Sequence, residues 1–242
     1  MARQNNLTTI GAAAVGLTSQ REMKTTLKAF KCIYDATAYN FERFKKYFVW
    51  QLICQKCGKR HNCALPCTEI KATPSFRQAV KDLFFWFHQN TQSSKIWLCL
   101  CGGCGTGKTT ILKAMFNFIR YYQLYENGRY RGQFPFSCRY LDAKDLADII
   151  AHDKQEWDAI KKYQVLFIDD VGTEPAVIMD YGNLIEPFVE LIMNRYNQDL
   201  GLVFTTNLTS AMYEQRYGLR IRDRMRECCE IVTCCGESVR HQ

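Results

Sequence analysis

Residues Gly102-Gly103-Cys104-Gly105-Thr106-Gly107-Lys108-Thr109 fill every fixed position of the phosphate-binding pattern G-x-x-x-x-G-K-[ST]. Glycines let a backbone curl until several N–H groups aim at one phosphate. A helix starting directly behind such a loop adds the positive end of its dipole. In this arrangement Lys108 reaches the β- and γ-phosphates of ATP and the Thr109 hydroxyl holds Mg²⁺. Thr110 continues the nucleotide-binding stretch. The motif also has the setting it needs, an apolar run over 96–101 before it and an apolar-periodic stretch over 111–119 after it.

A second motif carries carboxylates. Val165-Leu166-Phe167-Ile168 is an apolar run suited to a strand buried on both faces, and Asp169 and Asp170 follow it directly. Asp169 is expected to hold Mg²⁺, through water. Asp170 is expected to orient or deprotonate the attacking water. A strand that merely ends in a polar turn, as Gly172 and Pro175 allow, is the alternative, and the phosphate loop upstream favours chemistry. A third apolar stretch over 201–206 ends in Asn207, whose amide can position water near the γ-phosphate and report whether that phosphate is present. Ordinary turn chemistry is the rival reading there. Asn207-Leu208-Thr209 also fits a glycosylation acceptor, but nothing else points to secretion.

These side chains need a scaffold that brings three strand ends together. From residue 95 onward strands and helices alternate, which predicts a parallel sheet with crossover helices. Strands are expected near 96–101, 138–141, 165–168, 202–205 and 230–233, and helices near 108–122, 143–152, 181–197 and 210–217. Ligands of such sheets bind beyond the carboxyl ends of the strands, where all three motifs fall.

The chain of 242 residues has room for one α/β domain plus a small accessory region. Residues 1–20 are small and polar, a flexible N-terminus by expectation. Residues 21–74 form a helical and cysteine-rich partner-binding region, and 75–242 form the nucleotide-binding domain. A formal net charge of +8 allows an anionic partner, nucleic acid first. No stretch is apolar enough to span a membrane. Residues 12–15 are too short and poorly flanked for a secretory signal.

Thirteen cysteines suggest a disulfide scaffold at first sight. Cys99, Cys101 and Cys104, however, lie in or beside the phosphate loop, and a Mg²⁺-dependent nucleotide enzyme belongs in a reducing, cytoplasmic compartment. Cys54 and Cys57 have C-x-x-C spacing, and Cys63 and Cys67 follow soon after. Those four are the expected ligands of a compact, structural zinc knuckle, with His61 able to replace Cys63. Reduced cysteines without metal are the alternative. Phe41, Phe44 and Phe48 share one face of a predicted helix and either pack on their own domain or dock a protein partner. Residues 71–89 read as a further helix. Tyr121, Tyr122, Tyr125, Arg129, Tyr130 and Arg131 interleave aromatic and basic groups, as a base-stacking surface or a solvated helix end would.

Near the far end, Tyr217-Gly218-Leu219-Arg220-Ile221-Arg222-Asp223-Arg224-Met225-Arg226 concentrates arginines, with Arg220 and Arg224 on one face of a helix. They could bind a nucleic acid backbone, reach a neighbouring subunit's γ-phosphate, or form a solvated basic helix. The phosphate loop, 165–172 with Glu174-Pro175, Thr205-Thr206-Asn207, 217–225 and Gly236-Glu237-Ser238-Val239-Arg240 together resemble the AAA+ ATPase domain of DnaC-type helicase loaders and the related IstB transposition helpers. The resemblance covers 95–242. It implies a P-loop AAA+ parallel sheet with flanking helices, Arg220 or Arg224 as an arginine finger acting in trans, and Arg240 as the second-sensor arginine contacting nucleotide. No helical lid is expected after Arg240, which leaves ATP held between subunits of a homo-oligomer. Cys104 stands where such proteins often carry proline or another small residue, and the N-terminal region does not match the loaders' helicase-binding region closely.

The expected function is therefore an ATP-dependent DNA replication factor, a helicase loader binding ATP, single-stranded DNA and a replicative helicase, with slow, partner-stimulated hydrolysis. An IstB-like helper on duplex DNA and an ATP-binding zinc adaptor with little hydrolysis are the rivals.

Overall fold

A computed structural model describes residue 48 and residues 73–87, 95–125, 137–180 and 182–235. The zinc-knuckle residues Cys54, Cys57, His61, Cys63 and Cys67 lie outside the described residues, as do Phe41, Phe44 and Arg240. The described elements in chain order are α1 (Pro74–Phe87), β1 (Trp97–Cys101), α2 (Lys108–Tyr125), β2 (Cys138–Asp142), α3 (Asp145–His152), α4 (Lys154–Lys162), β3 (Val165–Val171), β4 (Ile178–Asp180), β5 (Asn183–Ile185), α5 (Pro187–Asn197), β6 (Gly201–Thr206), α6 (Ser210–Cys228) and β7 (Cys229–Thr233).

Five strands form one sheet in the order β2-β3-β6-β1-β7. Each pairing is parallel, with Leu98 opposite Val203, Phe167 opposite Val203, and Cys101 opposite Thr233. Central strands of such a sheet lose both faces to helices, which is why β1, β3 and β6 are almost unbroken apolar runs. Alternation then sorts their side chains. Leu98, Leu100, Phe167 and Val203 pack with Ala79, Leu83, Phe84 and Trp86 of α1 and with Ile111, Leu112 and Met115 of α2. Trp97, Cys99, Leu166, Ile168, Leu202 and Phe204 pack on the other face with Leu146, Phe188, Leu191, Tyr213 and Tyr217. Phe48 is fully buried in the first cluster, so the one described member of the aromatic stripe packs within its own chain.

The predicted strands all form, but three elements differ from expectation. The predicted helix over 181–197 begins only at Pro187, because an antiparallel hairpin, β4–β5, precedes it. Proline suits the first helical turn, where its missing N–H costs nothing. Helix α4 is additional. Asp153 caps it by accepting from the Glu156 amide at 2.8 Å, and Lys161 and Lys162 close its last turn. Helix α6 runs well past residue 217 but is kinked at Gly218, whose φ of 80° is not helical.

At the amino end of the sheet, the fully buried Arg195 donates to the carbonyls of Tyr163 (2.6 Å), Gln164 (3.0 Å) and Gly201 (2.5 Å). Burial pulls its guanidinium down to about 9. These bonds fasten the starts of β3 and β6 side by side, and the pairing runs in register from Val165 to Ile168 before shifting by one residue ahead of Val171, around the two aspartates. No helix among the described residues is long and apolar enough to cross a membrane.

Candidate nucleotide site

β1 delivers the chain into the phosphate loop, and α2 begins at Lys108. Three glycines of the loop need positive φ: Gly102 at 148°, Gly105 at 79° and Gly107 at 91°. Gly102 also has no room for a side chain, since a Cβ there would lie 2.1 Å from the Cys234 carbonyl oxygen. The loop is thereby clamped against the chain leaving β7, and the Cys234 amide donates to the Cys101 carbonyl at 2.7 Å. On its other side, Gly107 faces the Phe76 ring of α1, which a Cβ would approach to 3.1 Å. The Thr106 hydroxyl donates to the Gly103 carbonyl at 3.0 Å and holds the loop's curl.

Lys108 is buried at the centre. Its ammonium donates to the Gly102 carbonyl (2.9 Å), the Gly103 carbonyl (2.7 Å) and Asn207 Oδ1 (2.7 Å). The tips of β1 and β6 are thus bridged by one cation. β3 joins them through Asp169, which is 4% exposed and accepts three hydroxyls. Thr109 donates to Oδ1 at 3.0 Å, Thr205 to Oδ1 at 2.6 Å, and Tyr140 to Oδ2 at 2.8 Å. Burial first, then the Asp169 bond, pushes the Tyr140 hydroxyl's pKa far up, so it remains a donor. Thr109 and Asp169 present paired oxygen atoms suited to a hard cation such as Mg²⁺.

Asp170 takes a left-handed conformation, φ 54°, uncommon for any residue with a Cβ. Its amide donates to Thr205 Oγ1 at 2.8 Å, and Thr205 donates on to Asp169. One hydroxyl therefore fixes both aspartates relative to the strand that ends in Asn207. Cys104, Gly105, Gly107, Lys108, Thr109, Thr110, Asp170 and Asn207 line a single pocket there. Three motifs widely separated in sequence meet around one cavity.

The chain beyond Asp170 reaches α6. Gly172, φ 107°, lies against Leu208, where a Cβ would come within 2.9 Å. The Gly172 amide donates to Glu174 Oε2 at 2.8 Å. Glu174 is 2% exposed and also accepts from the Tyr217 hydroxyl, with Arg216 Nε 3.6 Å from its Oε1. The arginines past the kink differ in their surroundings. Arg224 stacks over Tyr196 at 4.1 Å and donates to its hydroxyl at 2.9 Å. Arg222 pairs with Glu214. Arg220 is exposed and, among the described residues, has no hydrogen-bond or ion-pair partner.

Sequence reasoning passed over Tyr140 and Phe76, and it noted Thr205 and Glu174 only as members of motifs, without a role of their own. Tyr140 shows only as an ordinary strand residue, and Thr205 is hidden inside a motif read for its asparagine. The described cysteines are all free thiols. Among them, Cys101 is drawn down to about 6 by the hydrogen bond from Cys99, with help from Thr233 and Lys108 against the opposing effect of burial.

No protein-family model matches the chain, and no curated protein matches it. Solved structures do. The DnaC helicase loader is similar at 22% identity and a TM-score of 0.51, over 68% of this chain and 93% of that one. DnaI is similar at 21% identity and 0.51, over 72% and 88%. A proposed primosome component from Streptococcus pyogenes serotype M3 is similar at 23% identity and 0.51, over 73% and 93%. The chain shares its fold with these proteins, and its parallel five-stranded sheet with flanking helices fits the P-loop AAA+ architecture.

Proposed function

We propose that this chain is a DnaC-like AAA+ ATPase of DNA replication, a helicase loader that binds ATP, single-stranded DNA and a replicative helicase. The observation that carries the reading is the closed set of contacts Lys108–Asn207, Thr109–Asp169 and Thr205–Asp169 around one pocket, in a fold shared with the DnaC helicase loader.

The loop's N–H groups and Lys108 bind and orient the β- and γ-phosphates. Mg²⁺ held by Thr109 and Asp169 supplies neutralising charge when bound. Asp170 accepts a proton from the water that attacks the γ-phosphorus, and the bond from that phosphorus to the β,γ-bridging oxygen breaks to give ADP and phosphate. Aspartate has a shorter reach than the glutamate found at this place in many AAA+ ATPases, so basal turnover is slow. Asn207, which accepts from Lys108, turns to hold the water or the γ-phosphate. Arg220 acts in trans on a neighbouring subunit's nucleotide, a role supported by its exposure and lack of a partner, whereas Arg224 is engaged by Tyr196. Arg240 contacts the nucleotide of its own subunit, and Cys54, Cys57, Cys63 and Cys67 hold a structural zinc ion.

The test is ATP hydrolysis measured alone, with single-stranded DNA, with duplex DNA and with the host's replicative helicase. Stimulation by single strands or by helicase is expected. Stimulation by duplex alone would replace the loader with a transposition helper. Tight ATP binding without hydrolysis under any condition would leave an adaptor.

A further inference from the structure

The contacts of Glu174 are more than a turn requires. It sits four residues beyond Asp170, buried to 2% exposure, between the loop leaving β3 and the last turn of α6 before the Gly218 kink. From the loop it accepts the Gly172 amide at 2.8 Å. From α6 it accepts the Tyr217 hydroxyl and faces Arg216 Nε at 3.6 Å, while the Glu174 carbonyl accepts from Arg216 Nη2. A buried carboxylate is tolerated only when its lone pairs are taken and a cation stands beside it, and both conditions are met here by two elements far apart in sequence.

Each side of this junction leads to a different part of the proposed machinery. On the loop side, Thr173 donates to the Asp170 carbonyl through both its amide (3.1 Å) and its hydroxyl (2.8 Å), so Glu174 and the left-handed Asp170 belong to one rigid turn. On the helix side, Tyr217 packs on Phe188 at 5.0 Å and on Tyr213 at 4.7 Å. Gly218 follows directly, and the direction it gives the chain decides where Arg220 stands. A third strut runs alongside: Gly172 rests on Leu208, the residue after Asn207.

We infer that Glu174 is a positioning residue that couples the Asp170 turn to the Arg220 segment, so that the state of a subunit's own nucleotide site sets how its arginine is presented to the neighbouring site. The inference rests on the trans role proposed for Arg220. Movement of Asp170 or Asn207 on nucleotide binding would reach Arg220 through Glu174, Arg216 and Tyr217, without a contact between Arg220 and its own nucleotide.

Subunit mixing tests it with the full-length protein. D170N keeps its arginine but cannot hydrolyse ATP. E174A is expected to bind a fluorescent ATP analogue within about threefold of wild type, because the hydrogen bonds and ion pair of the Glu174 carboxylate go to Gly172, Tyr217 and Arg216 and not to the phosphate loop, and to lose at least tenfold in turnover. Mixed one to one, D170N and E174A are expected to recover about one quarter of the wild-type rate, since half of the subunits keep a competent site and half of those have a donor neighbour. R220A mixed with D170N is the control and recovers to the same extent. Rescue of R220A but not of E174A overturns the coupling, assigns Glu174 to its own site, and leaves the trans arginine standing. Failure of both removes the trans arginine and the coupling with it. Y217F keeps the ring packing and drops one donor to Glu174. It carries the same test if E174A does not fold, and equal turnover of Y217F and wild type would then overturn the inference.

Discussion

The Lys108 ammonium donates to Asn207 Oδ1 at 2.7 Å, joining the phosphate loop to the tip of a strand 99 residues further along the chain. The same ammonium is held by two carbonyls of its own loop. A γ-phosphate has to exchange with some of these bonds, and Asn207 is the partner that can turn with it. Asn207→Ala is therefore expected to bind ATP within a few-fold of wild type but to hydrolyse it ~10²-fold more slowly, the usual cost of losing one preorganised group at a transition state. Equilibrium binding and single-turnover hydrolysis separate the two effects. Equal losses in binding and turnover would move Asn207 from the transition state to ground-state binding.

Asp169 accepts from Thr109, Thr205 and Tyr140, all through side-chain hydroxyls. Asp169→Asn is expected to abolish the Mg²⁺-dependent part of ATP affinity while leaving the Mg²⁺-independent part, which belongs to the loop. Tyr140→Phe removes one of three donors and should weaken Mg²⁺ affinity about 10–100-fold, less than the full loss expected of the asparagine variant. Titrating nucleotide affinity against Mg²⁺ checks both. An unchanged Mg²⁺ dependence in the asparagine variant would take Asp169 out of the metal site.

What was legible in the sequence follows from physical cause. Parallel strands buried on both faces must be apolar runs, and each run that ends in a motif ends at the ligand edge, so all five strands and the three motifs could be read. Helix α4 escaped because only Trp157 and Ile160 turn inward among charged neighbours. Strand β5 was read as the start of a helix and β4 was not read at all, because the two short strands lack clear alternation and Met179 and Leu184 stay exposed. Arg195 could not be found at all, and Glu174 entered only as part of a family-like motif, with no role of its own. A buried charge shows nothing in sequence, since its partners, carbonyls for Arg195 and an amide, a hydroxyl and a guanidinium for Glu174, are brought to it only by the tertiary fold.

Gly102 tests the loop's backbone rather than its chemistry. A Cβ at this position would meet the Cys234 carbonyl oxygen, a backbone atom that a side-chain rotation cannot move aside. Gly102→Ala is expected to lower stability by ~1–3 kcal/mol, the range for forced overpacking. Thermal denaturation with and without ATP measures it. A melting temperature equal to wild type would mean that β7 and the loop separate more readily than their close contact implies.

Arg220 and Arg224 are four residues apart and alike in sequence, but only Arg224 is engaged. It stacks on Tyr196, which also donates to Glu227. Arg224→Ala is expected to lower the melting temperature by about 2–4 °C and to reduce turnover little. Arg220→Ala should leave the melting temperature unchanged and reduce turnover ~10³-fold in the assembled protein. Melting curves and turnover for both variants settle the assignment, and the opposite pattern would exchange the two roles.

The cysteine cluster of the N-terminal region carries the last prediction. Among the described residues, no three His, Cys, Asp or Glu side chains converge on a point where a metal ion could sit. Zinc found in the purified protein would therefore report on Cys54, Cys57, Cys63 and Cys67, whose C-x-x-C pair and closely following partners suit a four-ligand site. Protein purified in reductant without a metal-binding tag should contain about one zinc per chain. Cys54→Ala should lose it. Comparing Cys63→Ala with His61→Ala decides the fourth ligand, because the variant that keeps its metal has lost a bystander. Chelation should remove zinc and destabilise the N-terminal region while ATP binding by the parallel-sheet domain persists. Freshly reduced protein that contains no zinc would reduce the cluster to unmetallated thiols.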